Sequence, residues 1–284
     1  MTATALPTPL VSPERLLAAL AAGAAPVIID CSFDLADVGA GERAFAEAHL
    51  PGAVYAHLDR DLAGAKTGRN GRHPLPARAD WAATLARLGV TPARAVVVYD
   101  AQGGMYAARA WWMLLWAGHR VVSVLDGGIG AWKAAGGALQ SGAAAPVAAP
   151  APYPIGESLV ASVDADALQK SLGRVTLLDA RAGERYRGEV EPLDKRAGHI
   201  PGARSRFFKD NLDPQGRFRP AAELRDAFEA FGAAPAQVVH QCGSGVTACH
   251  NLLAMEVAGL SGSALYPGSW SEWSADPARP VAVG

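Results

Sequence analysis

The run VVHQCGSGVTACHNLLAMEVA, residues 238–258, decides how the chain is read. Val238–Gln241 is short and β-branched, Cys242–Thr247 is broken by two glycines, and Val246–Ala258 carries apolar residues at helical spacing. The spacing therefore predicts a buried strand, a tight loop and a helix. A cysteine at such a junction faces backbone N–H groups and a helix N-terminus, both of which favour a thiolate. Gly243 and Gly245 let the backbone curl around the sulfur, and the hydroxyls of Ser244 and Thr247 add donors. The same ring of donors suits a second, anionic sulfur. The alternative for Cys242 is a small apolar filler at a strand end.

Outward from this loop the chain repeats itself. Val27–Asp30 matches Thr176–Asp179, and His49-Leu-Pro-Gly-Ala53 matches His199-Ile-Pro-Gly-Ala203. Val96–Asp100 matches Gln237–Cys242, and Leu125–Gly128 matches Leu265–Gly268. This is a tandem duplication, with small loop insertions in one copy. We expect domains at 8–139 and 155–284, joined by a surface linker at 140–154 that is rich in Ala and Pro and semi-extended at its prolines. Short buried strands alternating with helices indicate an α/β fold, each copy a mainly parallel sheet flanked by helices. In the second copy the strands fall at Val175–Asp179, Val238–Gln241 and Ser263–Tyr266, the helices at Ala221–Phe231 and Val246–Ala258. Reactive groups in such sheets lie at the carboxyl ends of the strands.

Composition excludes several classes. A length of 284 residues allows two ordinary domains, and a net charge of −1 gives no reason to expect a nucleic-acid or membrane partner. The apolar stretch Leu16–Ala25 reads as an amphipathic helix with Ser12 as N-cap and Pro13 at N1 rather than an export signal, so a cytoplasmic protein is expected. Trp111–Ala117 is too short to span a membrane. Cys31, Cys242 and Cys249 cannot all pair and match no zinc ligand set. Cys249, at core spacing on the helix, and Cys31, at a strand end, read as packing residues.

The doubled unit, the two His-x-Pro-Gly-Ala segments, Cys242–Thr247 and the ending Leu265-Tyr-Pro-Gly-Ser-Trp-Ser-Glu-Trp273 resemble the tandem-domain rhodanese family over nearly the whole chain. The resemblance implies an inactive first domain and a catalytic second one, and Asp100 stands where the second copy has Cys242. It implies a sulfurtransferase in which Cys242 carries a persulfide, with no metal or organic cofactor. The acceptor would be a thiol, such as thioredoxin or glutathione, or cyanide. An uncharged Gly243-Ser-Gly245 resembles the mercaptopyruvate branch, whereas thiosulfate enzymes carry basic residues there. Two other readings are a thiosulfate:cyanide sulfurtransferase and a non-enzymatic persulfide carrier. By the same resemblance Arg185 holds the donor carboxylate, and Gly243, Gly245, Val246 and Thr247 line its place. Ser244, His73 and Asp61 would form a proton relay across the domain interface. The family's second arginine follows a Glu-Pro; here Glu191-Pro-Leu-Asp-Lys-Arg196 is ordered differently, leaving Lys195 and Arg196 as candidates. His49 and His199, kept in both copies, read as architectural. Some cysteine phosphatases share this loop position, but they need an arginine at the place occupied by Ala248.

Overall fold

The computed structural model describes residues 6, 9–144 and 151–284, which fall into two compact units. The first comprises the chain up to Ala63, Pro76–Leu159 and Pro214–Arg217. The second comprises Gly64–Leu75, Val160–Asp213 and Phe218–Gly284. Each repeat thus contributes a short loop to the other repeat's unit, which a division at 140–154 does not foresee.

The first unit contains β1 (Leu10–Val11), β2 (Val27–Asp30), β3 (Val54–Tyr55), β4 (Val96–Tyr99) and β5 (Val122–Leu125) in the order β1-β5-β4-β2-β3. The second contains β6 (Ala161–Ser162), β7 (Thr176–Asp179), β8 (Arg204–Ser205), β9 (Val238–Gln241) and β10 (Ala264–Leu265) in the order β6-β10-β9-β7-β8. The orders are the same and every strand pairing is parallel. Register repeats too: Asp30 lies opposite Tyr99 and Asp179 opposite Gln241. The central strands are buried on both faces, in keeping with the runs of Val and Ile that open them. Packed on them are Leu16, Phe45, Leu50 and Trp132 in one unit, and Leu168, Ile200, Trp270 and Trp273 in the other.

Most predicted elements stand within two residues of their expected ends. The first helix is shorter than expected, Pro13–Ala21, with Ser12 Oγ accepting from the Arg15 N–H as N-cap. Gly23, at φ +86°, supplies the left-handed residue that ends it, so Ala22–Ala25 lie beyond the helix. The expected linker is also corrected in part. Tyr153 is buried, bonded through its N–H to Ala82 O and through its hydroxyl to His119 Nδ1, so this end is anchored in the first unit. Residues 145–150 of the expected linker lie outside the described residues. Among the described residues no helix is long and apolar enough to cross a membrane.

The two His-x-Pro-Gly-Ala segments have matching geometry. His49 Nδ1 bonds Phe45 O at 2.7 Å while its ring stacks on Phe45; His199 Nδ1 bonds Tyr186 O at 2.9 Å and stacks on Tyr186. Each closes the turn onto the preceding helix, an architectural use.

Candidate active site

Cys242 follows β9 at the carboxyl edge of the second sheet, and the helix Ala248–Val257 leaves the loop behind it. The loop is pinned from outside by the turn into Ser269–Trp273. The Trp270 and Ser271 N–H groups donate to the carbonyls of Cys242 and Gly243 at 3.0 and 2.9 Å. Ser269 Oγ accepts the Cys242 N–H at 3.1 Å. Ser269 is the one non-glycine with positive φ (54°) among the described residues, a strained conformation held at the site by these contacts.

The two glycines work differently. Gly245 has φ +76°, a Cβ there would collide with Pro267 O, and its N–H donates to Cys242 Sγ at 3.2 Å. It curls the backbone as expected. Gly243 is not in the left-handed region, and its role is to leave space. A Cβ on it would stand 2.8 Å from Arg72 Nη2 and 3.4 Å from Arg185 Nη1. Two guanidiniums therefore converge over the residue next to the cysteine.

The loop Gly64–Leu75 delivers the next partner. His73 is buried, and its Nδ1 is hydrogen-bonded to Ser244 Oγ at 2.7 Å. Two of the three expected relay members thus touch. Asp61 belongs to the first unit, where its Oδ2 accepts the His57 N–H at 2.7 Å and its Oδ1 pairs with Arg87. Val246 is buried, and Thr247 sits at the helix N-cap position without a side-chain capping bond.

Around the guanidiniums lies an ion-pair network. Arg185 Nη2 reaches Glu191 Oε1 and Oε2 at 2.7 and 2.9 Å. Arg72 pairs with Asp194, whose other oxygen is 3.6 Å from Arg185. Arg181, buried under this layer, pairs with Asp179 at 2.6 Å and Glu191 at 3.4 Å and lies over the Trp270 ring. Burial works against its charge, yet Asp179 first, then Glu191 and Cys242, hold its pKa above the ordinary value. Sequence reasoning missed Arg181, although the repeat offered a signal: it follows Asp179 at the spacing at which Ser32 follows Asp30.

The search for a second arginine among Lys195 and Arg196 is corrected here. Arg196 donates to the carbonyls of Trp273, Ser274, Asp276 and Arg279, capping the C-terminal end of the last helix, and Lys195 is exposed. The second guanidinium at the loop belongs to Arg72, next to His73.

The remaining cysteines pack. Cys249, fully buried, donates to Gly245 O at 3.4 Å. Burial, with the charges of Asp30, Asp100 and Asp61, pushes the Cys31 thiol well up. In the first unit Asp100 occupies the place of Cys242. Its carboxylate accepts four backbone N–H groups, from Gln102, Gly104, Tyr106 and Ala107, at 2.8–2.9 Å.

A fold of two such units agrees with the comparisons. The rhodanese-like domain model matches residues 12–135 and 164–276, so the chain belongs to the rhodanese family. It is an enzyme, a sulfurtransferase. A Pseudomonas aeruginosa protein named "Probable 3-mercaptopyruvate sulfurtransferase" is 48% identical over 264 residues, 91% of this chain and 92% of the relative. The thiosulfate sulfurtransferase of the same organism is 34% identical, over 84% of this chain and 87% of the relative. Among solved structures, 3-mercaptopyruvate sulfurtransferase from Leishmania major superposes with a TM-score of 0.81 at 30% identity, covering 94% of this chain and 74% of that one.

Proposed function

We propose that the enzyme moves sulfur from 3-mercaptopyruvate to a thiol or cyanide through a persulfide on Cys242, with Arg185 and Arg72 holding the donor's carboxylate. The observation that carries this reading is the pair of guanidiniums converging over Gly243, beside a loop that itself has no cation. Two planar guanidiniums suit a carboxylate held at a distance from the reacting sulfur.

In the first half-reaction the Cys242 thiolate attacks the donor's sulfur and the donor's carbon–sulfur bond breaks. The electron pair leaves on the pyruvate enolate, which takes the proton released by the donor thiol. Ser244 and His73, joined by their hydrogen bond, stand beside the nucleophile as the pair that relays it. The Gly245 N–H and the rest of the loop stabilise the anionic outer sulfur. In the second half-reaction an acceptor thiol takes that sulfur as its own persulfide and restores the Cys242 thiolate.

Steady-state kinetics with both donors on one preparation tests the donor: kcat/KM should be higher for mercaptopyruvate, with pyruvate released. A clear preference for thiosulfate would overturn the donor and leave the persulfide chemistry standing. For that chemistry, mass spectrometry of donor-treated protein should place one added sulfur atom on the peptide carrying Cys242.

A further inference from the structure

Asp194 lies against both guanidiniums assigned above to the donor. Its Oδ1 pairs with Arg72 Nη1 and its Oδ2 is 3.6 Å from Arg185 Nη2, so one carboxylate spans the pair. That is the arrangement a planar carboxylate ligand would take between two guanidiniums. The side chain is 6% exposed, and Oδ2 has no hydrogen-bond partner. Around the loop the charges already balance: Arg72, Arg181 and Arg185 face Asp179, Glu191 and Asp194. A donor carboxylate would add a further anion, beside the Cys242 thiolate, to this partly dehydrated cluster, which is costly unless one of the residents withdraws.

We propose that Asp194 is a resident ligand of the donor site, bridging Arg72 and Arg185 at rest and yielding them to the carboxylate of an incoming α-keto acid. The inference rests on the reading of those two arginines as the donor's anchors. Asp194 is the resident best suited to withdraw. Asp179 and Glu191 are held by more bonds: Asp179 takes the Arg181 N–H and its guanidinium, and Glu191 takes Arg185, Arg181 and the N–H groups of Leu193 and Asp194. Burial raises the Asp194 carboxyl pKa, outweighing the pull of Arg72, so its ionised form is held less firmly than its two cations suggest. Its neighbours Pro192, Leu193 and Lys195 are exposed, so no packed core opposes a movement of this loop.

A carboxylate that merely aimed the arginines would have the opposite effect on removal, and this makes the proposal testable in the full chain. Asp194→Asn and Asp194→Ser are compared with the parent for alkylation of Cys242 by iodoacetate, which carries a carboxylate, and by neutral iodoacetamide. Removing the competitor should raise the iodoacetate-to-iodoacetamide rate ratio roughly three- to thirty-fold, the effect of one close charge at constant ionic strength. The KM for mercaptopyruvate should fall over the same range. A ratio that stays constant or drops in the folded variants would overturn the proposal, leaving Asp194 as a positioning residue. If mercaptopyruvate proves not to be the donor, the proposed function fails separately, because the alkylation ratio reads the anion site without sulfur transfer.

Discussion

Cys242 is the residue on which the proposed chemistry turns, and its neighbours divide by the bonds they already make. Cys242→Ser should abolish sulfur transfer, whereas Cys249→Ser should keep most of it, because Cys249 is buried in the helix and donates to Gly245 O. Both are checked by sulfur-transfer assays on proteins with unchanged circular dichroism. The three arginines near the loop separate in the same way. Arg185→Ala should lower mercaptopyruvate kcat/KM roughly 30- to 1000-fold, and Arg72→Ala should lower it in the same direction, because on the proposed reading each removes a charge-assisted contact to the donor. Alkylation of Cys242 by iodoacetamide should change little in either. Arg196→Ala should do the reverse. It strips the caps from four carbonyls, so the denaturation midpoint should fall, by about 2 kcal/mol or more of stability, while the folded enzyme keeps its donor KM.

At the scale of elements, β4 and β9 end in loops that solve one electrostatic problem in two ways. In the first unit the Asp100 carboxylate satisfies four converging N–H groups permanently. Asp100→Asn turns one acceptor oxygen into a donor facing other donors, and should cost roughly 2–4 kcal/mol in urea denaturation. In the second unit the Cys242 sulfur accepts the Gly245 N–H, and on the proposed reading the loop's donors serve the outer sulfur of a persulfide. β9 also carries His240, fully buried against Met255 Sδ, with its pKa depressed by burial to about 3. The unfolded chain takes up a proton near pH 6.5 and the folded one does not. Stability contributed by the neutral ring is therefore present above pH 6.5 and lost as pH falls towards 3, at roughly 1.4 kcal/mol per unit. His240→Leu should flatten this acid limb, with the acid-unfolding midpoint moving to lower pH; superimposable acid limbs would show that other groups control it.

For the whole molecule, the sequence made the doubling legible because strands, turns and the paired histidines recur at matched spacing. The difference between the copies was legible from the single exchange of Cys242 for Asp100. What escaped were features set by side-chain partnership rather than period. Arg72 drew no reading from the sequence and Arg196 stood as a candidate for the second donor arginine, yet one reaches the loop and the other caps a helix through contacts more than seventy residues away in sequence. Glu191 and Asp194 lie turned inward while Val190 and Leu193 are exposed, the inverse of what hydrophobicity alone suggests. No local pattern encodes that inversion, because only the arginines make it favourable.

The exchange of short segments between the repeats, Gly64–Leu75 one way and Pro214–Arg217 the other, bears on how such a gene can change. Fission at the junction of the repeats would release a polypeptide with Cys242 and Ser244 but neither His73 nor Arg72. Residues 155–284 expressed alone should therefore lack mercaptopyruvate turnover, and supplying the first repeat in trans should restore it only where the two halves reassociate, as measured by activity against the concentration of the added half. On the proposed reading the doubled chain is a single heritable unit, since neither half alone holds Cys242 together with His73 and Arg72.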